Sequence, residues 1–73
     1  MNQRIVIDPK TCHGQPVIRG TRVPVSRVLG YLAGGMSLED VQRDFELTAE
    51  DVRAALEYAA ELMDEQRHYP LPA

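Results

Sequence analysis

Ser37-Leu38-Glu39-Asp40-Val41 and, eleven residues later, Thr48-Ala49-Glu50-Asp51-Val52 repeat one pattern, Ser/Thr-x-Glu-Asp-Val. Each copy reads as a helix start. The hydroxyl accepts from the amide three residues on, and the acids fall in the first turn, where the aligned peptide dipoles favour negative charge. Such a cap contributes about 1 kcal/mol. The helix opened by Ser37 runs from Leu38 to about Asp44, with Val41 and Phe45 facing inward. Phe45-Glu46-Leu47 makes the next turn, and Leu47 is placed to staple onto the helix that Thr48 opens.

Upstream, Pro24 and Ser26 open a first helix whose apolar residues Val25, Val28, Leu29 and Leu32 follow the i, i+3, i+4, i+7 rule, and Gly34-Gly35 ends it. Downstream, the third helix runs from Ala49 to about Gln66. Its stripe is Val52, Ala55, Leu56, Ala59 and Met63, widened by Tyr58 and Leu62. A helix of about 18 residues spans about 27 Å. That exceeds what two short helices cover, so its distal end is expected to pack on a second chain. His68-Tyr69-Pro70-Leu71-Pro72-Ala73 cannot continue a helix and reads as an extended tail with Tyr69 and Leu71 as anchors.

Before the helices, two Gly and two Pro punctuate residues 12 to 25, leaving the short apolar runs Val17-Ile18 and Val23-Pro24-Val25. This reads as a hairpin, with Gly20 supplying the positive φ of a tight turn. Arg4-Ile5-Val6-Ile7-Asp8 is a further strand stopped by Asp-Pro, and either run can pair with it. An isolated hairpin is barely stable in water, so this one is expected to dock on the helices or on a second subunit's copy. One domain of 1–73 results: a β arm and hairpin over 1–25, a three-helix unit over 26–66 and a tail over 67–73. The fold class is mainly α.

A chain of 73 residues buries about 60% of its unfolded surface, which favours association as an additional source of stability. One cysteine, Cys12, permits no internal disulfide. The amino terminus lacks an apolar signal core, and no run reaches the roughly 20 residues of a membrane span. The expected location is the cytoplasm, with no membrane contact. Charge is divided along the chain. Residues 1 to 30 carry five basic residues against Asp8, a net of +4, while residues 31 to 73 carry Arg43, Arg53 and Arg67 against ten acids, a net of −7. A polyanion must therefore be met by the amino-terminal third, and a basic partner by the remainder.

The order helix, tight turn, short helix, turn, longer helix matches a helix-turn-helix unit, whose last helix ordinarily enters the major groove. Here that helix carries Glu50, Asp51, Glu57, Glu61, Asp64 and Glu65 against Arg53 alone, and acids near phosphates oppose binding. Contacts to double-stranded DNA are therefore expected from Arg19, Thr21, Arg22 and Arg27, with Arg53 the one basic contributor from the third helix. Two guanidinium groups flanking a stiff turn suit phosphate or carboxylate, since each fork donates parallel hydrogen bonds. Tyr58, Glu61, Leu62, Asp64, Glu65, Tyr69 and Leu71 are the expected partner-binding set. Cys12-His13 invites a metal or thiolate reading, but adjacent residues ligate one ion poorly and the pair lacks an orienting third group. No cofactor, metal or catalytic residue is assigned, and an enzyme is not expected.

Gly14 to Val25, then Gly34-Gly35-Met36-Ser37-Leu38-Glu39-Asp40-Val41, then Leu47 to Glu61 resemble, in order and spacing, the bacterial and archaeal family catalogued as domain of unknown function 433. The resemblance covers about Ile5 to Glu61. It implies a homeodomain-like three-helix fold behind a short β segment, and pairing with a nuclease-like toxin of the PIN type in toxin-antitoxin operons. Members often carry Tyr-Pro where this chain has Phe45-Glu46. The combined reading is a dimeric antitoxin-like regulator that binds a PIN-type toxin and operator DNA. Its alternative is a dimeric protein interaction module that binds no nucleic acid, with Arg19 and Arg22 paired to acids across the dimer.

Overall fold

The computed structural model describes residues 2–65. Two short strands, β1 (Ile5–Ile7) and β2 (Pro16–Ile18), precede three helices, α1 (Val25–Ala33), α2 (Leu38–Phe45) and α3 (Ala49–Glu65). The strands pair antiparallel with Ile5 opposite Ile18, Val6 opposite Val17 and Ile7 opposite Pro16. Of the two runs open to β1 in the sequence, Val17-Ile18 is therefore its partner. The hairpin at Gly20 exists in reduced form: Ile18 N–H donates to the Val23 carbonyl at 3.0 Å, and Val17 bridges Pro24. Val25 then turns away as the first residue of α1 rather than extending a strand, one residue ahead of the expected start at Ser26.

Thr21 N–H donates to the Ile18 carbonyl at 3.0 Å across Arg19 and Gly20, and Gly20 sits at φ 79°, the left-handed value an L side chain adopts only with strain. The connection from β1 to β2 is less regular. Cys12, His13 and Gly14 have φ of 51°, 58° and 80° in a 3-10 turn, which curls the chain back toward β1.

Each helix ends as its local chemistry dictates. Pro24, with φ −67°, leads into α1, and its carbonyl accepts from Arg27 N–H at 3.1 Å. At the far end Met36 N–H reaches the Tyr31 carbonyl and Gly35 N–H the Leu32 carbonyl, with Gly35 at φ 102°: a Schellman closure. Ser37 Oγ accepts from Asp40 N–H at 3.1 Å, capping α2. That helix reaches Phe45 and closes through Leu47 N–H to the Gln42 carbonyl at 2.8 Å, which requires Glu46 at φ 55°, ψ 46°. Proline, fixed near φ −65°, has no access to this conformation.

Val28, Val41, Val52 and Ala55, from all three helices, meet Ile5 and Ile18 of the sheet in one core, and Leu47, the expected staple, is buried in the same cluster. Tyr31 and Phe45 pack edge to face at 5.3 Å on its margin. The predicted stripe of α3 needs one correction. Leu56 is 43% exposed, whereas Ala54 is buried, because Asn2 and β1 approach α3 from the Ala54 side and Asn2 Nδ2 donates to the Ala54 carbonyl at 2.7 Å. Leu62 and Met63 on the distal part of α3 are also exposed.

Replacing Gly20 by Val is expected to destabilise the domain by about 1–2 kcal/mol, from backbone strain alone, because a Cβ there meets nothing within 4 Å. Gln15→Val, at an exposed extended position, is expected to be nearly neutral. Thermal melts should separate the two by about 4–8 °C per kcal/mol in a domain of this size; coincident melts would remove the strain assignment.

Candidate nucleic-acid and partner surfaces

The arginine-bearing turn is stiffened from within. Thr21 Oγ1 donates to the Ile18 carbonyl at 2.7 Å and accepts from Val23 N–H at 3.0 Å, so its hydroxyl holds the turn. Arg19 N–H donates to the Arg4 carbonyl and Arg19 Nε to the Gln3 carbonyl at 2.7 Å, which lays the Arg19 stem along the amino-terminal segment. Arg22 is exposed, with its carbonyl accepting from Cys12 Sγ at 3.4 Å. Arg53 lines a hollow with Asn2, Gln3, Arg4, Glu50 and Glu57, while Arg27 lines another with Gln15, Pro24, Ser26, Gly30 and Tyr31. Arg19 and Arg53 thus converge on the segment of Gln3 and Arg4, and Arg27 belongs to a different hollow.

Sequence reasoning gave Arg4 no partner, yet it ties the β arm to the helices. Arg4 Nη1 bonds Asp51 Oδ1 and Arg4 Nη2 bonds Glu50 Oε2, both at 2.9 Å. Asp51 also closes a reciprocal capping box. Its Oδ2 accepts from Thr48 N–H while Thr48 Oγ1 accepts from Asp51 N–H, both at 3.1 Å. Burial pushes the Asp51 carboxyl up, but the Thr48 amide, the Arg4 guanidinium and the Thr48 hydroxyl all favour the anion and hold it below the usual carboxylate range. The signal available in sequence was a basic residue beside an apolar strand and two acids in a helix's first turn. Nothing in their spacing links them.

The distal part of α3 gathers the predicted partner residues. Tyr58, Glu61, Leu62 and Asp64 line one open groove of about 890 Å³, together with Asn2 and the three residues of β1. Glu65 is the last residue of α3, and Tyr69 and Leu71 lie outside the described residues. Glu50, Glu57, Glu61 and Asp64 follow one another at intervals of seven, four and three, forming a single exposed acidic stripe. Glu50 at its proximal end is paired by Arg4. Among the described residues no ion pair reaches Glu57, Glu61 or Asp64, whereas Arg43 on α2 pairs with Asp40 and Asp44. Among the described residues there is also no group of three or more His, Cys, Asp or Glu placed to hold a metal ion, and no helix is long and apolar enough to cross a membrane.

Three helices carrying a two-stranded antiparallel sheet at their amino-terminal side define a small, predominantly helical domain. The chain belongs to the family described as Protein of unknown function (DUF433), whose model matches residues 5–59. A Mycobacterium tuberculosis (strain ATCC 25618 / H37Rv) protein named "Putative antitoxin VapB45" is 39% identical over 56 residues, covering 77% of this chain and 23% of its own length. Among solved structures, Rv2018 from Mycobacterium tuberculosis superposes with a TM-score of 0.65 at 40% identity, over 71% of this chain and 24% of that one. A DUF433 member from Anabaena variabilis ATCC 29413 gives 0.78 at 35% identity, over 85% of this chain and 62% of its own. The chain spans about a quarter of the mycobacterial relatives it matches.

Asp51 has a testable pH signature. With its pKa lowered in the folded state, its contribution is present above the unfolded carboxyl value, roughly 3.9, and is lost as pH falls through the lower folded value. Urea denaturation is therefore expected to place Asp51→Asn below wild type at pH 7, with the gap narrowing on acidification below the usual carboxylate range. A gap that stays constant from pH 7 to pH 2 would show that the Asp51 charge plays no part.

Proposed function

We propose that this domain is a non-enzymatic, antitoxin-like regulator of the cytoplasm that captures a basic, nuclease-like toxin of the PIN type through α3 and, as a homodimer, binds operator DNA through its arginine-bearing turn. The observation that carries this reading is the acidic stripe of Glu57, Glu61 and Asp64 beside exposed Leu62 and half-buried Tyr58. A charged row bordering an apolar groove provides steering for a basic partner and apolar area to hold it. Kinship with a protein named as an antitoxin supports the same role. Glu65, Tyr69 and Leu71 extend the partner surface on this reading.

For DNA, the supporting features are Arg22 and Arg27 exposed on the basic third of the chain and Arg19 at the rigid turn, with Thr21 holding the turn's shape. Arg53 stands between Glu50 and Glu57 on its helix, so its weight is smaller. Use of α2 and α3 as a helix-turn-helix scaffold, with the turn rather than α3 facing phosphates, follows from the acidity of α3.

A second reading, a dimeric interaction module without nucleic acid, is favoured by one observation: Arg4 pairs with acids of its own chain and Arg19 Nε with a backbone carbonyl. Anisotropy titration with mixed-sequence duplex at two salt concentrations separates the readings. Arg19→Ala with Arg22→Ala is expected to weaken DNA binding evenly across sequences and to reduce the salt slope by about 0.9 for each phosphate no longer neutralised. Glu57, Glu61 and Asp64 changed to Gln are expected to slow association with a PIN-type nuclease severalfold and to leave DNA binding unchanged or stronger. Salt-independent duplex binding, or none, would remove the DNA role. Unchanged association of the Gln variant would remove the assignment of α3.

A further inference from the structure

The sheet has one closed edge and one open edge. β2 is its middle element, flanked by β1 on one side and by Val23-Pro24 on the other, where Ile18 N–H donates to the Val23 carbonyl. β1 is therefore the strand left at the border. Antiparallel pairing alternates the direction of backbone groups. Arg19 N–H donates to the Arg4 carbonyl, so Arg4 and, two residues on, Val6 direct their N–H and C=O inward to β2. Those of Ile5 and Ile7 then point to the open side. Ile5 N–H makes a contact of 3.4 Å with the Asn2 carbonyl, long for such a bond.

We infer that this open edge pairs with the same edge of a second copy, antiparallel about a two-fold axis at Val6, joining two small sheets into one. The inference deepens the dimeric part of the reading above by assigning its surface. Three features select this occupant and this register. A two-fold at Val6 sets Ile5 of each copy opposite Ile7 of the other, and these are the residues whose backbone groups face outward. The same register sets Arg4, whose guanidinium keeps its bonds to Glu50 and Asp51, opposite Asp8 of the second copy at both ends, so residues of opposite and not like charge meet there. Shifting the axis by one residue to Ile5 places Arg4 opposite Val6 and removes both pairs. Ile7, 58% exposed at the border strand, also gains a neighbour of its own kind. β1 is three residues long and bounded by Arg4 and by Asp8-Pro9-Lys10, so its edge admits one short pairing and not an extended one.

The axis passes between the two Val6 residues, which form a non-hydrogen-bonded pair about 4.5 Å apart at Cα, within reach of a disulfide. In a Cys12→Ser background, Val6→Cys is expected to give a disulfide-linked dimer under mild oxidation, while Gln3→Cys, far from the axis, gives little. Sedimentation of the wild-type chain is expected to show twice its 8.2 kDa mass at micromolar concentration. Ile7→Lys is expected to raise the dimer dissociation constant at least tenfold with its helical circular dichroism retained, because Ile7 lies outside the core. A monomeric wild type overturns both the dimer and its surface. Dimers that survive Ile7→Lys but are abolished by Leu62→Asp overturn the β1 edge and keep the dimer on α3, and preferential cross-linking at Gln3 overturns the register.

Discussion

The carboxylate of Asp51 is the junction on which the arrangement of this domain depends. It is at once a capping group for α3 and the anchor for Arg4, so the charge that starts the longest helix also fixes the strand lying against it. Neither task alone is strong. A surface ion pair contributes little, and a cap contributes about 1 kcal/mol. Together with the Asn2 bond to the Ala54 carbonyl and the burial of Ile5, they hold the first residues of the chain on a helix that begins more than forty residues later.

The helices were legible in the sequence because their signals are local. Ser37 and Thr48 cap where the repeated pattern places them, and Gly34-Gly35 ends α1 through backbone bonds that need a left-handed glycine. The strand pairing was half legible: β-branched runs marked the strands, but two partners for β1 remained open, and only packing against α1 and α3 decides between them. Arg4 with Asp51 was not legible, since a pairing across 47 residues leaves no periodicity. Nor were the left-handed Cys12 and Glu46, whose residue types do not announce such backbone, although His13 between Cys12 and Gly14 is of a type enriched there. Leu56 was misplaced for a related reason. Helical spacing gives the width of an apolar face, while its centre is set by what docks on it, here a strand on the Ala54 side.

Of the expected partner set, four residues lie together. Tyr58, Glu61, Leu62 and Asp64 do share one groove. Of the basic set, Arg27 and Arg53 line different hollows, and the Thr21 hydroxyl is engaged in its own turn. The difference is physical: residues on one helix keep their relative positions whatever the tertiary fold, whereas arginines on turns are positioned by neighbours that sequence does not name.

The distance in sequence between Arg4 and its carboxylates bears on the order in which the molecule is made. A chain synthesised from its amino terminus presents β1 first, and Glu50 and Asp51 only 46 and 47 residues after Arg4. Until then the arm can hold β2 but has no helix to lie on, and two-stranded sheets of this size do not persist alone. Closure of the arm is thus expected to follow assembly of the locally capped helices, since long-range pairings must first overcome loop entropy. A segment made before the helix it lies on would reach its native place after that helix.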